Sequence, residues 1–215
     1  MRWFNLTDIL RTNELENATD YLEKAVFHFN NREDNYWFKW LMISLHGALY
    51  GFGVCAIMGT NTERVLEMKL GKKKFEEKKK EMIEYYKELG FDINADTRIL
   101  DSTVWYNLSS LLGIWDILDY CQDESYMMQR LDSKVLNITD TQRASIDRMI
   151  NYRNDFAHFK PRALSVITEG ADWIVKDVVD VIKFLALESR NVNYFEESNR
   201  DKVKYFFDKF VFNWN

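Results

Sequence analysis

Arg153, Asn154 and His158 fall within one short stretch, and their types suit proton transfer beside a bound phosphate, of which metal-free RNA cleavage is one example. RNA can be cut without a metal because its own 2′-OH attacks the adjacent phosphate. The attack needs a base for the hydroxyl, an acid for the departing 5′-oxygen, and positive charge beside the pentavalent intermediate. An imidazole poised near neutral pH transfers protons. A guanidinium stays charged at any accessible pH and makes paired hydrogen bonds to non-bridging phosphate oxygens. Asn154 could orient the imidazole or bond the phosphate. Lys160 and Arg162 follow closely and are natural contacts for the nucleic-acid backbone. The plainer reading of the same residues is a structural ion pair at the arginine and a cap at a helix end.

The element that must position them is a helix. Ile146, Met149, Ile150 and Ala157 recur at helical spacing and read as one inward face. At about 100° per residue, Arg153 falls in the middle of that stripe. A guanidinium is rarely buried without a partner. Arg153 therefore either holds a buried ion pair or faces a cleft or a second subunit. Asn154 and His158, four apart, are neighbours on the flank. Pro161 disfavours helix at Lys160, so His158 is expected in the last turn, where the helix dipole favours imidazolium. A spacing of five puts Arg153 and His158 about 140° apart, so they need not converge within one chain. Thr139-Asp140-Thr141-Gln142 supplies an N-cap for this helix.

The stretch Arg153-Asn154-Asp155-Phe156-Ala157-His158 resembles the arginine-to-histidine signature of the HEPN superfamily. Those are small helical domains, many of them metal-independent ribonucleases of toxin, antiviral and RNA-processing systems. The resemblance covers roughly residues 15–60 and 140–190. It implies an all-α, HEPN-like four-helix up-and-down bundle with the motif in its third core helix. It further implies an endoribonuclease that leaves a 2′,3′-cyclic phosphate and works as a homodimer, two copies of the motif meeting at one cleft. RNA is the implied substrate, with an antitoxin protein as a further partner in a toxin–antitoxin or phage-defence setting. The superfamily also has members that bind without cutting. The alternative expectation is accordingly a HEPN-like dimer that holds RNA, a nucleotide or a protein. Toxins of this family that pair with a nucleotidyltransferase often carry a tyrosine two residues after the histidine. Lys160 stands there instead, so control by nucleotide transfer to that position is not expected. Because the second helix of HEPN-like domains can line the cleft, His46 joins Lys160 and Arg162 as a candidate substrate contact.

The rest of the chain bounds these readings. A length of 215 residues predicts a single domain, 1–215, large enough for a good core, with residues 60–140 as a helical insertion and one extra C-terminal helix. The single proline fits a mostly helical chain. A net charge of −5 excludes a global field that attracts nucleic acid, so any RNA contact is local. Cys55 and Cys121 sit in apolar segments and read as reduced buried thiols. Histidines 28, 46 and 158 are far apart, and neither a metal-ligand set nor a phosphate-binding glycine loop is present in the sequence; no cofactor is expected. The first residues lack a long apolar run, so no signal peptide is expected and the cytoplasm is the expected compartment.

Asn13 or Asn17 predicts the cap of a helix reaching about Asn30, and His28 on its flank reads as ordinary. Trp37 to Met58 is almost continuously apolar and approaches the length of a membrane span. Lys39, Ser44 and His46, and the lack of basic clusters at its ends, favour a buried helix and no membrane. Gly47, Ala48 and Gly51 would let another backbone approach. Lys69 to Lys80 opens an amphipathic helix with a solvated charged face. Its interleaved glutamates weaken the alternative of a phosphate-contacting arm. Leu89-Gly90 predicts a C-cap, Asn94 to Thr97 a turn, and Thr103 to Tyr120 a largely helical stretch. Helices are expected over Ala171–Glu188 and Asp201–Phe212, with a loop over 191–199. The aromatic C-terminal end needs a groove, on its own body or on a second copy.

Overall fold

The computed structural model describes residues 12–68, 71–90, 105–158 and 165–212. Of these, 69% are helical and 2% lie in strands, so the protein is all-α. The chain forms two compact units, Met1–Gly59 with Ile117–Asn215 and Thr60–Asp116. The inserted unit thus ends earlier than the expected 60–140. The reason is that Ile117, Leu118, Cys121 and Met127 are fully buried in the larger unit.

In the larger unit, α1 (Glu14–Asn30) starts at Asn13, whose side chain accepts the Glu16 N–H at 2.9 Å. It packs along α2 (Trp37–Met58). The small residues of α2 decide how closely. A β-carbon on Gly51 would lie 2.7 Å from the β-carbon of Ala18, and one on Gly47 would meet the Tyr21 ring at 2.5 Å. The other faces of α2 pack on two later helices, α6 (Asp140–Ala157) and α7 (Ala171–Lys183), which also pack on each other. This explains why α2 is apolar nearly all round. It is long and apolar enough to cross a membrane, yet 67% of its most apolar window is buried inside the protein. Arg32, in the α1–α2 loop, bonds Asp172 at 2.5 Å and lies over the Phe29 and Trp37 rings.

The smaller unit holds a 3-10 turn (Thr62–Val65), β1 (Leu66–Glu67), α3 (Lys72–Glu88) and β2 (Ser110–Leu111). The strands pair antiparallel, with Leu66 opposite Leu111. Here the expected helix over 103–120 is broken. Residues 105–108 are helical, but Ser109 turns its hydroxyl back to the Trp105 carbonyl at 2.6 Å and the chain passes into β2. Helix resumes as α4 (Ile114–Cys121), followed by a single turn, α5 (Glu124–Met127). The lysine-rich α3 has no fully buried residue; Phe75, Met82, Ile83 and Tyr86 are half-buried and Leu89 is exposed. The expected turn at 94–97 lies outside the described residues.

After α7 the backbone continues as a π-turn, Phe184–Glu188. The last helix, α8, spans Glu197–Asp208, about a turn earlier than its expected 201–212. Phe210, beyond its end, packs on Phe29 of α1 with ring centroids 5.3 Å apart, and Asn30 donates to the Lys209 carbonyl at 3.2 Å. The aromatic C-terminal end is thus seated on its own body. Cys55 and Cys121 are both buried free thiols; burial pushes Cys55 up to about 12 and Cys121 higher still.

Candidate functional site

The rotation of α6 about its own axis determines what its end presents. The helix opens with a capping box: the Thr139 hydroxyl accepts the Gln142 N–H at 3.2 Å, and the Gln142 side chain accepts the Thr139 N–H at 3.0 Å. The Ser145 hydroxyl then donates to Asp177 of α7 at 2.6 Å, and Ile146 and Met149 are fully buried. One turn later the buried flank becomes aromatic. Tyr152 and Phe156 meet the edge of Phe38 of α2 at centroid distances of 5.1 and 6.1 Å. These contacts pin the C-terminal half of α6 to α2 and leave its end emerging from the body. Ala157, expected inward, is exposed.

Arg153 lies where the stripe leaves the core, and it is half-buried. Its Nη1 donates to Oδ1 of Asn154 at 2.9 Å. Among the described residues no carboxylate lies within ion-pair distance of it. Among the described residues, then, Arg153 forms no buried ion pair.

Asn154 serves both other members of the motif. Its side-chain oxygen takes the Arg153 bond, and its carbonyl accepts the His158 N–H at 3.0 Å. His158 is not in the last turn, as expected, but is the capping residue just past it, with extended φ −101° and ψ 113°. Its side chain is exposed. Lys160 and Arg162 lie outside the described residues.

His46 of α2 comes to the same region. Its imidazole is half-buried beside Tyr50, with ring centroids 6.1 Å apart. Burial first, and the nearby Arg153 charge second, lower its pKa to about 4. At neutral pH it is therefore an uncharged ring that can both donate and accept a hydrogen bond next to the Arg153 guanidinium. His28, in α1, packs near Trp40, and burial lowers its pKa as well. The sequence reading missed Phe38, Tyr152 and Phe156 as supports. Their signal was the aromatic pair four apart in Tyr152 and Phe156, flanking the arginine on one helix face.

The structure thus brings Arg153, Asn154 and His46 into one neighbourhood and sets His158 at its edge. In comparisons with family models, curated proteins and solved structures, the chain matches none.

Proposed function

We propose that the protein is a HEPN-like, metal-independent endoribonuclease whose four core helices, α1, α2, α6 and α7, form an up-and-down bundle. The observation that carries the reading is Arg153: a half-buried cation at the end of α6, bonded to an amide and not to an acid, one turn from an exposed imidazole. In this reading Arg153 contacts the non-bridging oxygens of the scissile phosphate and stabilises the charge that grows there. One imidazole takes the proton of the ribose 2′-OH as its oxygen bonds phosphorus. A second imidazole gives a proton to the 5′-oxygen as its bond to phosphorus breaks. The products are a 2′,3′-cyclic phosphate and a 5′-hydroxyl end.

His158 is the proton-transfer group, and His46, neutral down to about pH 4, serves as a hydrogen-bonding neighbour of Arg153 and the substrate. One chain then contributes one imidazole to proton transfer, and a two-fold dimer supplies the pair. Lys160 and Arg162 extend the phosphate contacts. The setting we propose is a cytoplasmic toxin or phage-defence effector, held in check by an antitoxin protein. A second reading, a dimer that binds RNA or a nucleotide without cutting, is favoured by the same single imidazole if the two copies do not face one another.

The test is incubation of the purified protein with total RNA, with and without a chelator. Cutting is expected to persist in chelator and to fall by about 10²–10⁴-fold in His158→Ala. Tight RNA binding with no cutting would select the second reading, and chelator-sensitive cutting would overturn the metal-independent mechanism. In a bacterial host, expression of the wild type is expected to arrest growth and that of His158→Ala to be tolerated.

A further inference from the structure

The turn that ends α7 carries three linked departures from regular structure. Helical bonding shifts at Phe184 into the π-turn, closed by the Ser189 N–H donating to the Phe184 carbonyl at 2.8 Å. Such π-turns recur at functional sites because they redirect side chains that an α-helix would hold in register. Arg190 follows with φ 65°, the one described residue other than glycine in the left-handed region. A side chain with a β-carbon is strained there, by about 1 kcal/mol or more, where glycine would not be. Around Arg190 lies a buried polar network. Ser189 is fully buried and Asn191 is 3% exposed. Asn191 Nδ2 donates to the Met127 carbonyl at 2.7 Å, and its Oδ1 accepts the Ser133 hydroxyl at 2.6 Å. The Ser133 oxygen in turn accepts the Arg130 N–H at 2.9 Å, and the Lys134 N–H donates to the Ser189 carbonyl at 3.0 Å.

The consequence is positional. These bonds clamp the 130–134 loop onto the π-turn and bring Arg130 and Arg190 to one rim. Arg200, from the first turn of α8, supplies a third guanidinium, half-buried, with Nη1 at 3.2 Å from Glu197. The three line a cavity of about 180 Å³ together with Asp132 and Glu197. Three cations against two carboxylates leave the lining net positive in a protein whose overall charge is −5. Arginine forks match the oxygens of a phosphoryl group, and guanidiniums gathered from three elements suit a tetrahedral oxyanion better than a planar carboxylate. The volume is below the roughly 300–1,000 Å³ of sites that enclose a whole drug-sized ligand. It accommodates a phosphoryl group and leaves the rest of its carrier outside.

We propose that this cavity binds a phosphate monoester, such as the phosphate of a mononucleotide, through Arg130, Arg190 and Arg200. The site shares no residue with Arg153, Asn154, His158 or His46, and it stands whether or not the protein cuts RNA. Inorganic phosphate presents the same chemistry, and the experiment separates the two. Thermal unfolding of the full chain is followed in adenosine 5′-monophosphate and in inorganic phosphate, each against sodium chloride of equal ionic strength. At a ligand concentration about ten times Kd, Tm is expected to rise by about 3–5 °C. A larger rise with the nucleotide at equal concentration supports the monoester, and an equal rise with both reassigns the site to inorganic phosphate. Arg190→Gly removes a guanidinium and adopts φ 65° without strain, so it is expected to unfold no earlier than the wild type and to lose the ligand-dependent rise. Arg130→Gln keeps the backbone bond to Ser133 and is expected to lose the rise as well. No rise beyond chloride in the wild type, or a rise that survives in either variant, overturns the proposal.

Discussion

At Arg153 the cost of removing the side chain separates two roles. Breaking a buried ion pair costs about 3–5 kcal/mol, because it strands the partner charge. Arg153 has an amide for its partner and is half-buried, so Arg153→Ala is expected to cost only about 1 kcal/mol and, if the protein is the proposed ribonuclease, to abolish RNA cutting. Urea unfolding run beside the cutting assay checks both halves. An unfolded or strongly destabilised variant would return the residue to a purely structural role. His46 gives a second test at this scale. Its pKa falls from 6.5 in the unfolded chain to about 4 in the folded one. Below pH 6.5 the unfolded chain therefore takes up a proton that the folded chain refuses, and stability drops as pH falls towards 4. The loss is on the order of 3 kcal/mol at most. Unfolding free energies measured across that window are expected to flatten in His46→Asn; an equal slope in the variant would mean that other groups carry the acid sensitivity.

Elements are held here by close approach as much as by apolar burial. Replacing glycine by alanine inside a helix ordinarily gains about 1 kcal/mol. At Gly51 the added carbon would lie 3.1 Å from the Ala18 α-carbon, which is backbone and cannot swing aside. Overpacking costs about 1–3 kcal/mol, so Gly51→Ala is expected to be net destabilising, by Tm or urea midpoint. Asn191→Leu is expected to cost more, about 2–4 kcal/mol, since it leaves the Ser133 hydroxyl and the Met127 carbonyl buried without their partner. What the sequence made legible follows from the same physics. The limits of α1 and α2 were readable because a capping asparagine and long apolar runs are local signals. The break at Ser109 was passed over: Asn107, Ser109, Ser110 and Gly113 interrupt the apolar run, but nothing local marks a two-residue strand whose partner, Leu66–Glu67, is distant in sequence. The end of α7 was not readable, because its apolar spacing continues unchanged through the π-turn. The early start of α8 was hidden because its apolar residues are concentrated at the C-terminal side, and Phe210 and Val211 lie beyond the helix. At the site, Arg153 and His158 were visible as a spacing. The gathering of Arg130, Arg190 and Arg200 was not, because only the fold brings such distant positions together.

On the scale of the whole molecule, the proposed ribonuclease raises the question of how many chains make one catalytic unit. The aromatic C-terminal end does not demand a second copy, because Phe210 is already seated on Phe29. The demand comes from proton bookkeeping. Cleavage by 2′-OH attack uses a base and an acid at once. Within one chain, His46 stays neutral to about pH 4, so near neutrality it is no acid and only a weak base, and His28 of α1, beside Trp40, is not among the residues gathered at the site. That leaves His158, exposed at the end of α6, as one proton-transfer group per chain. If the acid and base are the His158 residues of two copies, cutting requires the dimer. Specific activity is then expected to fall on dilution in parallel with the dimer fraction measured by sedimentation, and doping the wild type with an excess of His158→Ala chains should suppress it through mixed dimers. Activity per chain that stays constant through the monomer range would mean that one chain completes the proton transfers alone, with an acid drawn from the substrate, from water or from residues other than the histidines.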